Sequence, residues 1–514
     1  MQLKYRPVLH HTAGLLIVTE RRGTLWHRLF KLEADSPLTI QAQLRAQIIA
    51  AIGEGRIPDD LPMPSSRELS AQLAIARNTV VIVYEQLADD GYLVARQRRG
   101  YFANPAVLGQ RLTPLKADSP TGDRVDWLSR MRFRPSRQRN ISKVPDWSQF
   151  EYPFIYGQFD PNLFPVAEWR ASCQQVLAGT DALDWAQDLF TRDDPRLLEQ
   201  IRDRVLPLRG VWAATDEIIM TIGAQQALYL LADLLLDATT EVGLENPGYP
   251  DARNIFSLRT ARLRPLPLDE HGLCVGDSLR GCRFIYTTPS HQSPTTVTMP
   301  VDRRLELLRR AEADDFLIIE DDYENETSFS GLPNPALKSL DRSGRVIYVG
   351  SLSKSLAPGL RLGYIVAPQP LIEELRALRR LMIRHPSAFV QRSFAQFLAL
   401  GSYDKLNRRL LAAYRERAAL LGAALAEFAP DLRHPAVTGG SSFWVEGPVW
   451  LDARRVAEEA RTLRVLIEPG DVHFFENPPP VNFFRLGFSS IAAASIRDGV
   501  SRLATLIERQ RPRR

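Results

Sequence analysis

Residues 346–367, Val-Ile-Tyr-Val-Gly-Ser-Leu-Ser-Lys-Ser-Leu-Ala-Pro-Gly-Leu-Arg-Leu-Gly-Tyr-Ile-Val-Ala, constrain this chain more than any other stretch. An apolar, largely β-branched run (346–349) breaks at Gly350 into a serine-rich turn. A second apolar run (364–367) follows a loop punctuated by Pro358 and Gly359. The pattern predicts two strands that present one lysine, Lys354, between them. A lysine held at a strand end beside hydroxyls and an arginine suits a Schiff base with an aldehyde whose phosphate also needs a cradle. Ser351, Ser353 and Arg361 are the candidates for that cradle. The competing reading is an exposed lysine in a serine-rich turn, and motifs elsewhere decide between the two.

Residues 218–228 (Ile-Ile-Met-Thr-Ile-Gly-Ala-Gln-Gln-Ala-Leu) read as strand, glycine turn and helix. The N–H groups near Ala224 and Gln225 then sit at a helix N-terminus that faces a phosphate. Glu245-Asn-Pro-Gly-Tyr249 follows an apolar strand and places an aromatic where it can stack on a flat heteroaromatic ring. Residues 316–323 form an apolar strand ending in Glu320, Asp321, Asp322 and Tyr323. Acids at the carboxyl end of a buried strand lie where α/β sheets bind ligands. Late in the chain, Asn482-Phe-Phe-Arg-Leu-Gly-Phe488 sets Arg485 among apolar neighbours, and a buried arginine needs an anionic partner.

Ser-x-Ser-Lys followed seven residues later by arginine resembles the lysine segment of fold-type I aminotransferases, which use pyridoxal 5'-phosphate (PLP). The resemblance implies that Lys354 carries PLP as an internal aldimine, while Ser351 and Arg361 hold its phosphate. It also implies that Asp321 keeps the pyridine nitrogen protonated, Tyr323 contacts the phenolic oxygen, and Arg485 grips a carboxylate of an amino-acid ligand. One loop departs from the pattern. The run Pro289-Ser-His-Gln-Ser-Pro-Thr-Thr296 ends in Thr296 where related chains carry glycine, and within it His291 and Gln292 are the candidate pocket residues.

The N-terminal part has a different character. Residues 1–36 form an extension in which a short amphipathic segment (24–30) can pack on the next unit. From Pro37, Ile40, Leu44, Ile48, Ile49 and Ile52 recur at helical spacing until Gly53 and Gly55. Ser65 and Glu68 have capping-box spacing for a second helix, and a third runs over residues 78–89. Residues 91–94 and 100–103 read as a hairpin with Arg96, Arg98 and Arg99 at its tip. Three helices and a basic hairpin over 37–103 make a winged helix-turn-helix.

Arg67 and Arg77 stand at helix starts, where N–H groups and a guanidinium together bind phosphate. Asn78 and Thr79 can face base edges. With Ser66, Arg98, Arg99 and Gly100, these are the DNA-binding candidates. The segment resembles the reading head of GntR-type bacterial regulators, with two departures. The turn commonly written Leu-Gly-Val-Ser-Arg is here Leu73-Ala-Ile-Ala-Arg77, so it lacks a glycine, and the third helix lacks a serine N-cap whose loss typically costs about 1 kcal/mol. A helical unit used for protein contacts is the alternative.

Residues 104–148 are basic, contain five prolines and lack sustained periodicity. They read as a long linker, either mobile or laid across another surface. Residues 149–514 alternate helical and strand-like runs, as an α/β domain does. The whole is expected to be multidomain, a winged helix-turn-helix followed by an α/β fold-type I aminotransferase-like domain. That fusion resembles the MocR-type subfamily of GntR-like regulators.

Three scattered cysteines without ligand spacing argue against a disulfide framework or a metal site and for a reducing, cytoplasmic setting. The apolar run 14–18 is too short for a membrane span or signal core. A net charge of +5, with much of the excess in the N-terminal third, suits nucleic acid. The expectation is therefore a PLP-dependent regulator binding operator DNA as a homodimer. It senses an amino acid or amine through aldimine exchange at Lys354. An active aminotransferase with an appended DNA-binding domain is the rival.

Overall fold

A computed structural model of the chain describes residues 26, 29–108, 125–179, 185–188, 191–324, 328–329 and 335–512. The chain parts into two compact units between Arg132 and Phe133.

In the first unit, α1 (Ile40–Gly53) opens on Thr39, whose hydroxyl accepts the Ala42 N–H at 3.2 Å, and buries Leu44, Ile48, Ala51 and Ile52 along one face. The capping box is present at α2 (Ser66–Leu73): the Ser65 hydroxyl accepts from the Glu68 amide, and the Glu68 carboxylate accepts from the Ser65 amide. Ala74 then takes a left-handed conformation (φ 54°), so an alanine occupies the turn position where a glycine carries no Cβ penalty. α3 (Arg77–Asp89) starts behind Ala76 without a side-chain cap and buries Val80, Val83, Tyr84 and Leu87. β1 (Leu93–Arg96) and β2 (Gly100–Ala103) form the antiparallel hairpin. The extension does pack on this unit: Phe30 is in its core, Trp26, Leu29 and Leu32 lie against it, and the Trp26 amide donates to Gln72 Oε1 at 2.9 Å.

The second unit is built on an eight-stranded sheet. Its strands are β3 (Ile218–Thr221), β4 (Val242–Asn246), β5 (Leu263–Asp269), β6 (Gly272–Leu273), β7 (Phe284–Thr287), β8 (Leu317–Asp322), β9 (Val346–Ser351) and β10 (Gly363–Val366), in spatial order β3-β10-β9-β8-β7-β4-β5-β6. β9, β8, β7, β4 and β5 pair in parallel, whereas β10 runs antiparallel to both β9 and β3. The central strands are buried on both faces, which explains their unbroken apolar runs. α4 (Gly223–Leu235) and α5 (Pro250–Ser257) follow β3 and β4. A second sheet combines β11 (Ser442–Glu446), β12 (Glu468–Pro469) and β13 (Phe483–Gly487), with β13 in the middle.

The expected linker is not uniform. Residues 109–124 lie outside the described ones, but the compact second unit begins at Phe133 rather than 149, and residues 138–149 are fastened to it. Gln138 Nε2 donates to Asn254 O and Ser257 Oγ, Arg139 Nη2 to Phe474 O at 2.9 Å, and Asn254 Nδ2 to Arg139 O at 3.0 Å. Residues 138–149 thus follow the second of the two readings, lying across another surface, and their polar side chains meeting backbone carbonyls leave no apolar periodicity that would show where.

Candidate functional site

The carboxyl ends of the parallel strands carry the chemistry, and strand alternation sets Asp321 on one face of β8 and Glu320 and Asp322 on the other. Glu320 accepts the Leu337 and Lys338 amides at 2.7 and 2.8 Å, capping a short helix. Asp322 accepts from Arg209 Nε at 2.8 Å and from the Tyr348 hydroxyl at 2.7 Å, a buried ion pair on one face. Asp321 receives the Tyr286 hydroxyl at 2.8 Å, while its other oxygen, Oδ1, is buried without a partner. Burial pushes the Asp321 carboxyl up to about 7, against the stabilising Tyr286 bond. A buried, half-satisfied carboxylate is completed by a protonated ring nitrogen, so this donor set fits the pyridine edge of PLP.

The phosphate end is equally consistent. α4 starts at Ile222 with no side-chain cap, leaving its first N–H groups, those of Ala224 and Gln225 among them, at an open positive helix end. Arg361, at the left-handed φ of 53°, donates to Ile222 O at 3.2 Å and lies across the start of the helix. A Cβ built on Gly223 would come within 3.0 Å of its guanidinium. A Cβ at Gly363 would strike Gly223 and the Ala224 nitrogen, so β10 approaches this turn as closely as backbone allows. Ser351 is buried at the end of β9; the side chain of Ser353 lies outside what the structure describes. Gln225 Nε2 and the Tyr249 hydroxyl both donate to Asp251, at 3.2 and 3.0 Å, which fixes the Tyr249 ring.

In the Pro289–Thr296 loop, His291 and Gln292 have different surroundings. His291 is buried with Asp322, Arg209 and Arg304 as the charges facing it, and burial pushes its imidazole down to about 4. Gln292 Nε2 donates to Glu245 at 3.1 Å and to Pro247 O at 3.0 Å, bracing the loop that carries Tyr249. Ser293, the next residue, lies close enough to Tyr323 for its hydroxyl to favour the charged form of that phenol. Thr296 takes the left-handed φ of 63° that a glycine would take without strain.

Lys354 Nζ donates to the Tyr156 hydroxyl at 2.9 Å and lies 4.2 and 5.7 Å from the ring centres of Tyr156 and Tyr323. Burial pushes its ammonium down to about 8. The Glu324 and Asp321 carboxylates oppose that shift, and the Lys143 and Arg485 cations add to it. Arg485, on β13, stacks 3.9 Å from the Tyr156 ring centre. Its expected anionic partner exists within the protein: Glu468, directly opposite on β12, accepts Arg485 Nε at 3.2 Å. Yet Arg485 Nη2 is buried without a partner. The guanidinium is thus half committed, and the spare edge suits an incoming carboxylate. Sequence reading gave no role to Tyr156, Tyr286, Ser293, Lys143 or Glu468. Glu468 had a signal, an acid directly after the apolar run 465–467.

In the first unit, Arg67, Arg77 and Asn78 are exposed at the starts of α2 and α3, with Ser66 and Thr79 half-buried beside them. Arg77 Nε donates to the Ser66 hydroxyl at 3.3 Å. Arg98, Arg99 and Gly100 are exposed at the hairpin tip. Among the described residues no helix is long and apolar enough to cross a membrane, and no acid, histidine or cysteine cluster forms a metal site.

Residues 160–503 match the aminotransferase class I and II family, and residues 40–102 match the gntR family of bacterial regulatory proteins. The chain is 42% identical over 467 residues to the HTH-type transcriptional regulator TauR of Rhodobacter capsulatus, covering 91% of this chain and 96% of that one. It is 30% identical to the probable rhizopine catabolism regulatory protein MocR of Rhizobium meliloti, covering 92% and 94%. Among solved structures, the multiple substrate aminotransferase of Thermococcus profundus superposes with a TM-score of 0.67 at 28% identity, over 75% of this chain and 99% of that one. The Pyrococcus horikoshii kynurenine aminotransferase, solved in complex with PMP, gives 0.68 at 27% identity and the same coverage. With a GntR reading head and an aminotransferase fold in one polypeptide, the chain belongs to the MocR-type subfamily of GntR-like transcriptional regulators.

Proposed function

We propose that this regulator binds PLP at Lys354 and uses it to sense an amino acid or amine, altering the grip of the winged helix on operator DNA. One observation carries the reading. Lys354, the half-satisfied Asp321 and the uncapped start of α4 with Arg361 meet at the same strand ends. When bound, PLP supplies an aldehyde that condenses with primary amines and a ring that withdraws electrons. Asp321 would hold a proton on the ring nitrogen, Ser293 and Tyr323 would face the phenolic oxygen, and Tyr249 would lie against the ring. The amides of Ala224 and Gln225, with Ser351 and Arg361, would hold the phosphate. Lys354 enters the site with its proton easily lost, because burial disfavours the ammonium. The Tyr156 hydroxyl, 2.9 Å away, orients its nitrogen. Arg485 would orient the ligand through its carboxylate.

The regulator is cytoplasmic and works as a homodimer in this reading, since paired heads suit repeated half-sites. The test is an absorbance titration of the purified protein with amino acids and amines, run beside an operator-binding assay. The expected result is a yellow protein whose band and DNA affinity shift together, with reduction trapping the cofactor on Lys354 and Lys354→Ala losing the adduct. A wild-type protein that takes up no PLP overturns the cofactor reading. Multiple-turnover keto-acid production without any change in DNA affinity would make the chain a working aminotransferase instead.

A further inference from the structure

Glu468 is asked to neutralise two cations at once. Its Oε2 accepts Arg485 Nε at 3.2 Å and the Tyr156 amide at 3.0 Å, and its Oε1 accepts Lys143 Nζ at 2.6 Å. Lys143 also donates to Tyr156 O, its ammonium lies 5.5 Å from the Tyr156 ring centre, and a Cβ placed on Gly157 would meet Lys354 Nζ at 3.5 Å and Lys143 Nζ at 3.9 Å. Lys143 is therefore a second ammonium beside Lys354, delivered by the first residues of the second unit. The carboxylate it binds is the one that competes for Arg485.

We propose that Lys143 is a positioning residue for effector recognition: by drawing on Glu468, it weakens the hold of that carboxylate on Arg485 and keeps the guanidinium available to an effector carboxylate. The inference rests on the reading of Arg485 given above. Two charges sharing one carboxylate each gain less from it than either would alone. Removing Lys143 leaves Glu468 to Arg485 undivided and also deletes positive potential from the site. Both changes disfavour an incoming anion. Removing the Glu468 charge does the opposite, because Arg485 then has a buried charge and no internal partner.

The same geometry reaches beyond the pocket. Residues 138–149, which carry Lys143, are bonded to α5 through Asn254 and to the 474–476 loop through Arg139, while Glu476 Oε1 accepts from Asn246 Nδ2 at 2.9 Å. Residues 138–149 are thus tied both to α5, which follows Tyr249, and to the carboxylate that contacts Arg485.

The test uses the full-length, PLP-loaded protein and matched ligand pairs, glycine with methylamine and L-alanine with ethylamine, followed through the cofactor band. Lys143→Met is expected to weaken both amino acids by about tenfold and the two amines by less than twofold, Lys143→Arg to restore wild-type values, and Glu468→Gln to tighten the amino acids. Equal shifts for amino acids and amines in Lys143→Met, or no restoration by arginine, would overturn the proposal, since a purely structural role makes no distinction on the carboxylate. Arg485→Ala separates the two layers. If it leaves the preference for amino acids over amines intact, the Arg485 reading fails; if it removes that preference while Lys143→Met leaves it unchanged, only the role of Lys143 fails.

Discussion

Asp321 takes a different path from the acids beside it, because neither an arginine nor a pair of amides offsets its desolvation. An unfolded aspartate loses its proton near a pH of about 4, whereas the folded carboxyl holds it up to about 7. Between those values the folded protein binds more protons than the unfolded chain, so stability falls as pH rises through the window. In protein stripped of cofactor, the melting temperature should decline between about pH 4 and 7, and Asp321→Asn should flatten part of that decline. Parallel curves for the two proteins would mean that Asp321 titrates normally. Thr296 carries a different cost. A β-branched residue at φ 63° is strained by roughly 1–2 kcal/mol, partly offset in a glycine variant by the greater freedom of its unfolded chain. Thr296→Gly is expected to gain about 0.5–1 kcal/mol in urea unfolding, and a loss would show that the hydroxyl bond to Thr295 O outweighs the strain.

The two helices of the reading head differ in how their starts are satisfied, and this makes them a matched experiment. α2 has a reciprocal capping box, while α3 begins behind Ala76 with no side-chain acceptor. Ser65→Ala should therefore cost about 1 kcal/mol and Ala76→Ser should return a similar amount. Hydrogen exchange of the α3 amides in the full chain would read the second change as slower opening; unchanged exchange would mean that water already satisfies those N–H groups equally well. The same helix starts hold the proposed phosphate contacts. Arg67→Ala is expected to weaken operator binding and to reduce the salt dependence by about one unit, because one fewer counterion is released. An unaltered salt slope would remove Arg67 from the DNA interface.

At the scale of the whole molecule, what could be read in the sequence was whatever lay within one strand and the turn after it. Lys354 with Ser351 and Arg361, the acids of β8, and the β3–α4 turn each declare themselves locally, and together they indicate an α/β sheet with a site at its strand ends. The contacts around Arg485 and Lys354 join distant parts of the chain: Lys143 meets Glu468 across 325 positions and Tyr156 meets it across 312. No periodicity marks such partners. Gln292 shows the same limit, since the partners that its side chain meets, Glu245 and Pro247 O, lie 47 and 45 positions away.

If the second unit senses an amino acid and the first unit reads DNA, linkage demands symmetry between them. An effector that weakens operator binding tenfold must itself bind tenfold more weakly to the protein–operator complex, a coupling of about 1.4 kcal/mol measured from either side. Effector titrations with and without operator, set against operator titrations with and without effector, should therefore close to one factor. Arg485→Ala should lower that factor only as far as the effector's differential affinity depends on its carboxylate, and amines lacking one should show the same coupling in the variant as in the wild type. Unequal factors from the two directions would mean that a third equilibrium, such as dimer assembly, lies between effector and DNA.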